Sequence, residues 1–256
     1  MSALRHLAKS GIVLFLGQEK KPRTILRGLA AGYSICVSPR ENLGYLLGTT
    51  EAHLQRSIKQ YVSRGDTVYD IGANIGYVSL SLAKQVGPQG RVFAFEPVPR
   101  TFDLLTRNVQ LNHLDNIQAL KVAASDRSGE TSIRVPESLS MSSMVWHRKD
   151  PSAIEIPIKT VALDELVKSG NLTAPSFVKI DVEGAEGLVV QGMLDTVAAS
   201  KPVLFLECSD IGRETTWQLL SKMGYRCQAA ITRKWVTSFD QYRSSDFLWL
   251  PPTRDV

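Results

Sequence analysis

Cysteine is scarce in this sequence, and histidine nearly so. Three cysteines, Cys36, Cys208 and Cys227, stand in 256 residues without a C-x-x-C pair. An odd, scattered set builds no even disulfide framework, which points to a reducing, cytoplasmic setting. Four histidines with no H-x-x-x-H spacing and no Cys/His cluster speak against a structural zinc site. No apolar run approaches the ~20 residues that span a bilayer. Internal repeats and low-complexity linkers are also missing. What remains, 43% hydrophobic and 21% charged residues, is the composition of an ordinary globular protein. The length suits one α/β domain with a small appendage.

Charge is unevenly placed. The chain carries +5 overall, but residues 1–60 hold nine Lys/Arg against three Asp/Glu, so the remainder is close to neutral. We expect residues 1–60 to form a partly helical cap on the substrate side, and residues 61–256 to form the main domain. The basic excess is either a solvated face or a surface for an anionic lipid, polyanion or phosphorylated substrate. Peripheral membrane contact through this segment is one expectation. The stretch "GIVLFL" (11–16) follows Arg5 and Lys9 as a secretory leader would. It is short, however, and "GQEKKPR" stands where a small-residue cleavage site belongs. A helix packed on the domain or lying on a membrane surface is the better expectation.

From about residue 65, strand-like and helix-like runs alternate. "TVYDIG" (67–72), "GRVFAFEP" (90–97) and "IQALKVAAS" (117–125) read as strands, separated by "IGYVSLSLAKQV" (75–86) and "RTFDLLTRNVQLNH" (100–113) at helical spacing. That order predicts an α/β fold, a parallel sheet with helices on both faces. "GETSIRVP" (129–136) and "IEIPIKTVAL" (154–163) read as a strand pair flanking a polar stretch, in which Trp146 and His147 could form a lid. "PSFVKID" and "KPVLFLEC" read as a fourth and fifth parallel strand. "RETTWQLLSKMGY" is a helix, and "DFLWLPP" is an antiparallel last strand at the end of the sheet.

The turn "DIGANIG" (70–76) lies where strand gives way to helix, the place of a nucleotide-binding turn. It is not the dinucleotide fingerprint, because Asn74 and Tyr77 stand where the second and third glycines belong. Asp70 just before the turn is awkward beside a pyrophosphate and comfortable beside an ammonium. Glu96, twenty residues beyond Gly76, can accept both ribose hydroxyls of an adenosine. Asp126, after the third strand, could accept from an adenine amino group. Three acids at three successive strand ends converge on one crevice. With Gly72, Asn74 and Gly76 they point to S-adenosylmethionine in preference to NAD.

At these residues the chain resembles the FkbM-type S-adenosylmethionine-dependent methyltransferases. The segments that carry the resemblance are "VYDIGANIGYVSLSLA", "VFAFEPVPRTFDLLTRNVQLN", "AASDRSGE" and "FVKIDVEGAEGLVVQGM". The resemblance implies a doubly wound Rossmann-like methyltransferase sheet. It also implies methyl transfer to a hydroxyl of a sugar, glycolipid or secondary metabolite. It carries Asp70, Gly72, Asn74, Gly76 and Glu96 over as cofactor contacts, with Asp126 beside them. Lys179, Asp181 and Glu183 match its second signature. The poorly matched regions, residues 1–50 and 137–153, are the ones expected to choose the acceptor.

The second signature, "KIDVEGAE", gathers charge at a strand end. Alternation places Lys179 and Asp181 on one face, where an opposite-charge pair offsets desolvation. Asp181 is expected to touch cofactor or acceptor, and Asp181 or Glu183 to act as general base. Glu207 in "FLEC" is a third candidate base. Glu186 suits the first turn of the next helix for structural reasons. Glu51 and His53 either border the cofactor mouth or are exposed. The carboxylates Asp181, Glu183 and Glu207 leave room for a divalent ion, although no metal is expected. The rivals are a nucleic-acid amino-methyltransferase, a cofactor-binding scaffold and an NAD-dependent dehydrogenase. The first normally ends its fourth strand in Asn/Asp-Pro-Pro-aromatic, and this chain has "DVEG"; no nucleic-acid partner is expected.

Overall fold

The computed structural model describes residues 20–135, 153–182, 184–208, 212–242 and 246–252, without the side chains of residues 40 and 41. The "GIVLFL" run, Trp146, His147 and Glu183 lie outside the described residues. The chain enters as an antiparallel hairpin, β1 (Lys21–Thr24) and β2 (Ser34–Val37), followed by helices α1 (Pro39–Leu47) and α2 (Ala52–Tyr61). Then come β3 (Thr67–Ile71), α3 (Tyr77–Val86), β4 (Arg91–Phe95), α4 (Pro99–Leu111) and β5 (Ile117–Leu120). A short β6 (Ala123–Ala124), β7 (Gly129–Val135) and β8 (Ile154–Val161) form a separate three-stranded sheet. The remainder is α5 (Leu163–Lys168), β9 (Phe177–Ile180), α6 (Glu186–Gln191), α7 (Leu194–Ser200), β10 (Val203–Glu207), α8 (Arg213–Lys222), β11 (Arg226–Ala229), β12 (Trp235–Val236) and β13 (Asp246–Leu250).

The main sheet has eight strands in the order β12-β11-β13-β10-β9-β3-β4-β5. Strands β3, β4, β5, β9 and β10 run parallel, and β13 runs antiparallel to both β10 and β11. The chain winds outward from β3 to β5, then returns to lay β9 against the other side of β3. That reversal opens a crevice at the carboxyl ends of β3 and β9, where open α/β sheets bind ligands.

Side-chain alternation divides the core. Val68, Val92, Phe177 and Phe205 face one layer, and Tyr69, Ile71, Phe95, Val178 and Ile180 the other. In the first layer Leu80, Leu82 and Val86 of α3 are fully buried, worth about 1.5–3 kcal/mol each. Ile25, Ile35, Val37, Leu54 and Ile58 share that layer, so the N-terminal hairpin and α2 pack into the same core as the sheet.

The structure corrects three expectations. The run 117–125 does not continue as one strand: Val122 donates back to the Leu120 carbonyl at 3.0 Å, and β6 leaves to pair with β8. β13 lies inside the sheet, between β10 and β11, and not at its end. Within residues 20–60, a two-stranded hairpin accompanies the expected helices.

Candidate functional site

The glycine turn and the acid after β4 are one structure. Gly72 has φ +77°, and a Cβ there would run into the carbonyl oxygen of Asp181, so no other residue fits. Gly76 has φ +90°, and a Cβ would meet Leu105 Cδ1 at 2.6 Å. The amides of Gly72 and Ala73 donate to the Phe95 carbonyl at 3.0 and 2.9 Å. Asn74, itself left-handed at φ 51°, donates its N–H to Glu96 Oε2 at 2.8 Å. Glu96 Oε1 accepts from the Val98 N–H at 2.9 Å and from Thr101 Oγ1 at 2.8 Å. Glu96 is only 3% exposed. Burial pushes its pKa up, against the three hydrogen bonds and the charge of Lys179, which hold it down.

Beside this turn lies an open cleft enclosing about 150 Å³. Phe95, Val98, Val122, Ile133, Ile158 and Val182 supply apolar walls, and Gly72, Asn74, Glu96 and Asp181 line it as well. Apolar walls with one carboxylate-bearing edge fit a nucleoside, whose base stacks on hydrocarbon and whose ribose donates. Asp126 is on no wall of this cleft. It lines a neighbouring recess, which shares Ala123, Ala124, Ile133, Ile158 and Ala185 with the cleft, and it lies 3.3 Å from Arg127 Nε.

The charges of "KIDVEG" form a second centre. Lys179 sits opposite Asp70 in the β3–β9 register and is 5% exposed. Its Nζ donates to the carbonyls of Gly72 at 2.7 Å and Ile71 at 3.3 Å. It also lies 3.3 Å from Asp70 Oδ1 and 3.4 Å from Asp181 Oδ2. Burial alone would lower its pKa, but Asp181, Asp70 and Glu51 outweigh it and raise the pKa, so the side chain is a permanent ammonium. Asp70 is 0% exposed and accepts from Ser79 Oγ at 2.6 Å. Sealed beneath the turn, it presents no surface to the cleft; it faces the Lys179 ammonium and not a ligand's.

Asp181 keeps 32% of its side chain exposed. It lies on the wall of the cleft and on that of a smaller recess formed with Tyr45, Glu51, Asn74, Tyr77 and Lys179. Glu207, at the end of β10 and opposite Asp246, has its pKa raised to about 8. Burial is the main cause, followed by the charges of Asp181, Asp246 and Glu51, with Lys179 opposing. Glu186 is fully buried and accepts from the Gly184 N–H at 2.8 Å, a structural role. Among the described residues no group of three or more His, Cys, Asp or Glu is arranged to hold a metal ion. Sequence reasoning missed Ser79, Tyr45 and Tyr77. The two tyrosine rings stack at 4.5 Å, a contact between segments 32 residues apart that no local signal announces.

A sheet with β13 threaded antiparallel into a parallel array, a glycine turn after β3 and an acid after β4 define an S-adenosylmethionine-dependent methyltransferase. More narrowly, the chain belongs to the FkbM methyltransferase family: the "Methyltransferase FkbM domain" matches residues 70–227. Its cofactor is S-adenosylmethionine. The hexuronic acid methyltransferase AglP of Haloferax volcanii is 31% identical over 67% of this chain and 68% of its own length. The 2-O-methyltransferase NoeI of Sinorhizobium fredii is 28% identical over 63% of this chain and 71% of its own. A crystal structure of methyltransferase FkbM from Methylobacillus flagellatus KT aligns at 21% identity and a TM-score of 0.46, covering 72% of this chain and 43% of that one.

Proposed function

We propose that this methyltransferase acts on a hydroxyl oxygen of a sugar or glycoconjugate. The observation that carries the reading is the position of Asp181, a half-open carboxylate common to the apolar-walled cleft and the adjoining charged recess. S-adenosylmethionine supplies an electrophilic methyl on a sulfonium. On the protein side, Gly72, Asn74, Gly76 and Glu96 set the nucleoside end. Asp181 orients the acceptor hydroxyl and takes its proton as the oxygen–methyl bond forms and the sulfur–methyl bond breaks. A carboxylate acceptor would need no base and would meet repulsion from Asp181. The named activities of the hexuronic acid and 2-O-methyltransferase relatives support a sugar acceptor. The basic excess of residues 1–60 suits an anionic or membrane-borne glycan.

The test is transfer of labelled methyl to free hexuronic acids, neutral sugars, glycolipids and RNA, followed by mild alkali. Alkali-stable label in a sugar is expected. Label released as methanol would mean ester formation on a carboxyl group, and label in RNA alone would replace the glycan reading.

A further inference from the structure

The loop before α2 is built to hold one carboxylate. Gly48 has φ +65°, and a Cβ there would run into the Arg27 carbonyl. Gln55 Nε2 donates to the carbonyls of Gly48 at 3.2 Å and Thr50 at 2.7 Å, while its Oε1 accepts from the Leu29 N–H at 2.9 Å. Braced in this way, Glu51 takes a left-handed conformation, φ 56° and ψ 35°. That region is uncommon for a residue with a Cβ and is held only where the surroundings impose it.

The result is a carboxyl on the wall of the recess, with Tyr45, Asn74, Tyr77, Lys179 and Asp181. The same recess is floored by the turn Gly72–Ile75, which also borders the apolar-walled cleft. A ligand lying along the turn therefore has its nucleoside in the cleft and its other end here. For S-adenosylmethionine that other end is an amino acid. Asp70, the acid that the sequence offers to an ammonium, is sealed away beside Ser79 and Lys179. The lone lysine of the recess already faces two carboxylates, so Glu51 adds an acid that Lys179 does not balance. Burial raises the Glu51 pKa, Lys179 opposes this, and Asp181, Asp246 and Asp70 push it further up. A cation arriving beside it would relieve that crowding.

We propose that Glu51 accepts the α-ammonium of the cofactor. The N-terminal segment, outside the family-matched residues 70–227, then completes the cofactor site. The inference rests on the cofactor and not on the acceptor proposed above.

Calorimetry on the full chain separates the outcomes, using S-adenosylhomocysteine and 5′-methylthioadenosine, which lacks the amino-acid end. Glu51→Gln should weaken S-adenosylhomocysteine about ten- to a hundredfold, the scale of a lost charged hydrogen bond, and leave methylthioadenosine unchanged. Unchanged affinity for both ligands would overturn the assignment and move Glu51 to the acceptor. Equal weakening of both would overturn it in favour of a role in shaping the turn. If the glutamine variant folds poorly, Glu51→Gly suits the left-handed backbone, removes the carboxyl and carries the same test.

Discussion

Glu96 and Glu207 stand at the ends of two strands of one sheet, and burial raises the pKa of both. Their surroundings differ in what they offer. Glu96 receives two backbone N–H groups and a threonine hydroxyl, which tie it to the turn it shapes. Glu207 faces Asp181, Asp246 and Glu51, and only Lys179 favours its charge. Burial with donors makes a clamp, whereas burial among like charges makes an acid that titrates near neutrality. Glu96 thus holds the shape of the turn, whereas Glu207 retains a proton that its neighbours favour.

The comparison breaks most violently at Lys179, the cation on which the acidic side depends. Lys179→Met would strand Asp70, which has no exposure to water, and should cost about 3–5 kcal/mol in denaturant unfolding. Adding Asp70→Asn should restore part of that loss; a single variant as stable as the parent would show that the pair is not structural.

A crossed pair of variants sharpens the contrast next. Asp181→Asn should cut turnover at least about a hundredfold while cofactor affinity stays within about tenfold. Glu96→Ala should instead weaken S-adenosylhomocysteine by about 1–3 kcal/mol. The same change in binding from both variants would erase the division between clamp and reaction centre.

The smallest effect is the pH dependence of Glu207. Its folded pKa, about 8, lies above the ordinary 4.5, so the folded state binds the extra proton between those values. Its contribution to stability is complete below about 4.5 and is lost as the pH climbs through about 8. Glu207→Gln mimics the protonated form. Its melting temperature should exceed that of the parent at pH 9 and converge with it near pH 4. Parallel curves across that range would mean that Glu207 is well solvated or paired.

Much of this division was legible in the sequence, and the rest was not for definite reasons. Alternation along "FVKID" correctly put Lys179 beside Asp181, because period two is a local property. The other partner of Lys179, Asp70, lies across a β3–β9 register formed between residues 109 apart. Local pattern carries no such information, and Asp70 was consequently read as facing a ligand. The split of 117–125 has no Gly or Pro to announce it: a Leu120–Val122 backbone bond bends the run. β11 and β12, four and two residues long, are too short to establish a period. The insertion of β13 between β10 and β11 is a choice of neighbour, which a single strand's residues do not record.

Asn108 on α4 and Asn112, which caps the end of that helix, lie one turn apart. Asn108 Oδ1 accepts from the Cys36 N–H at 2.7 Å, and Asn108 Nδ2 donates to the Ile75 carbonyl at 2.7 Å. Asn112 takes both the N–H and the carbonyl of Ser34, each at 2.7 Å. Two amide side chains thus read β2 as a neighbouring strand would, and one of them also grips the loop behind the glycine turn. The N-terminal hairpin therefore cannot fray alone. In hydrogen exchange, the Ser34 and Cys36 amides should open together with α4, making the hairpin, the helix and the glycine turn a single cooperative unit of unfolding.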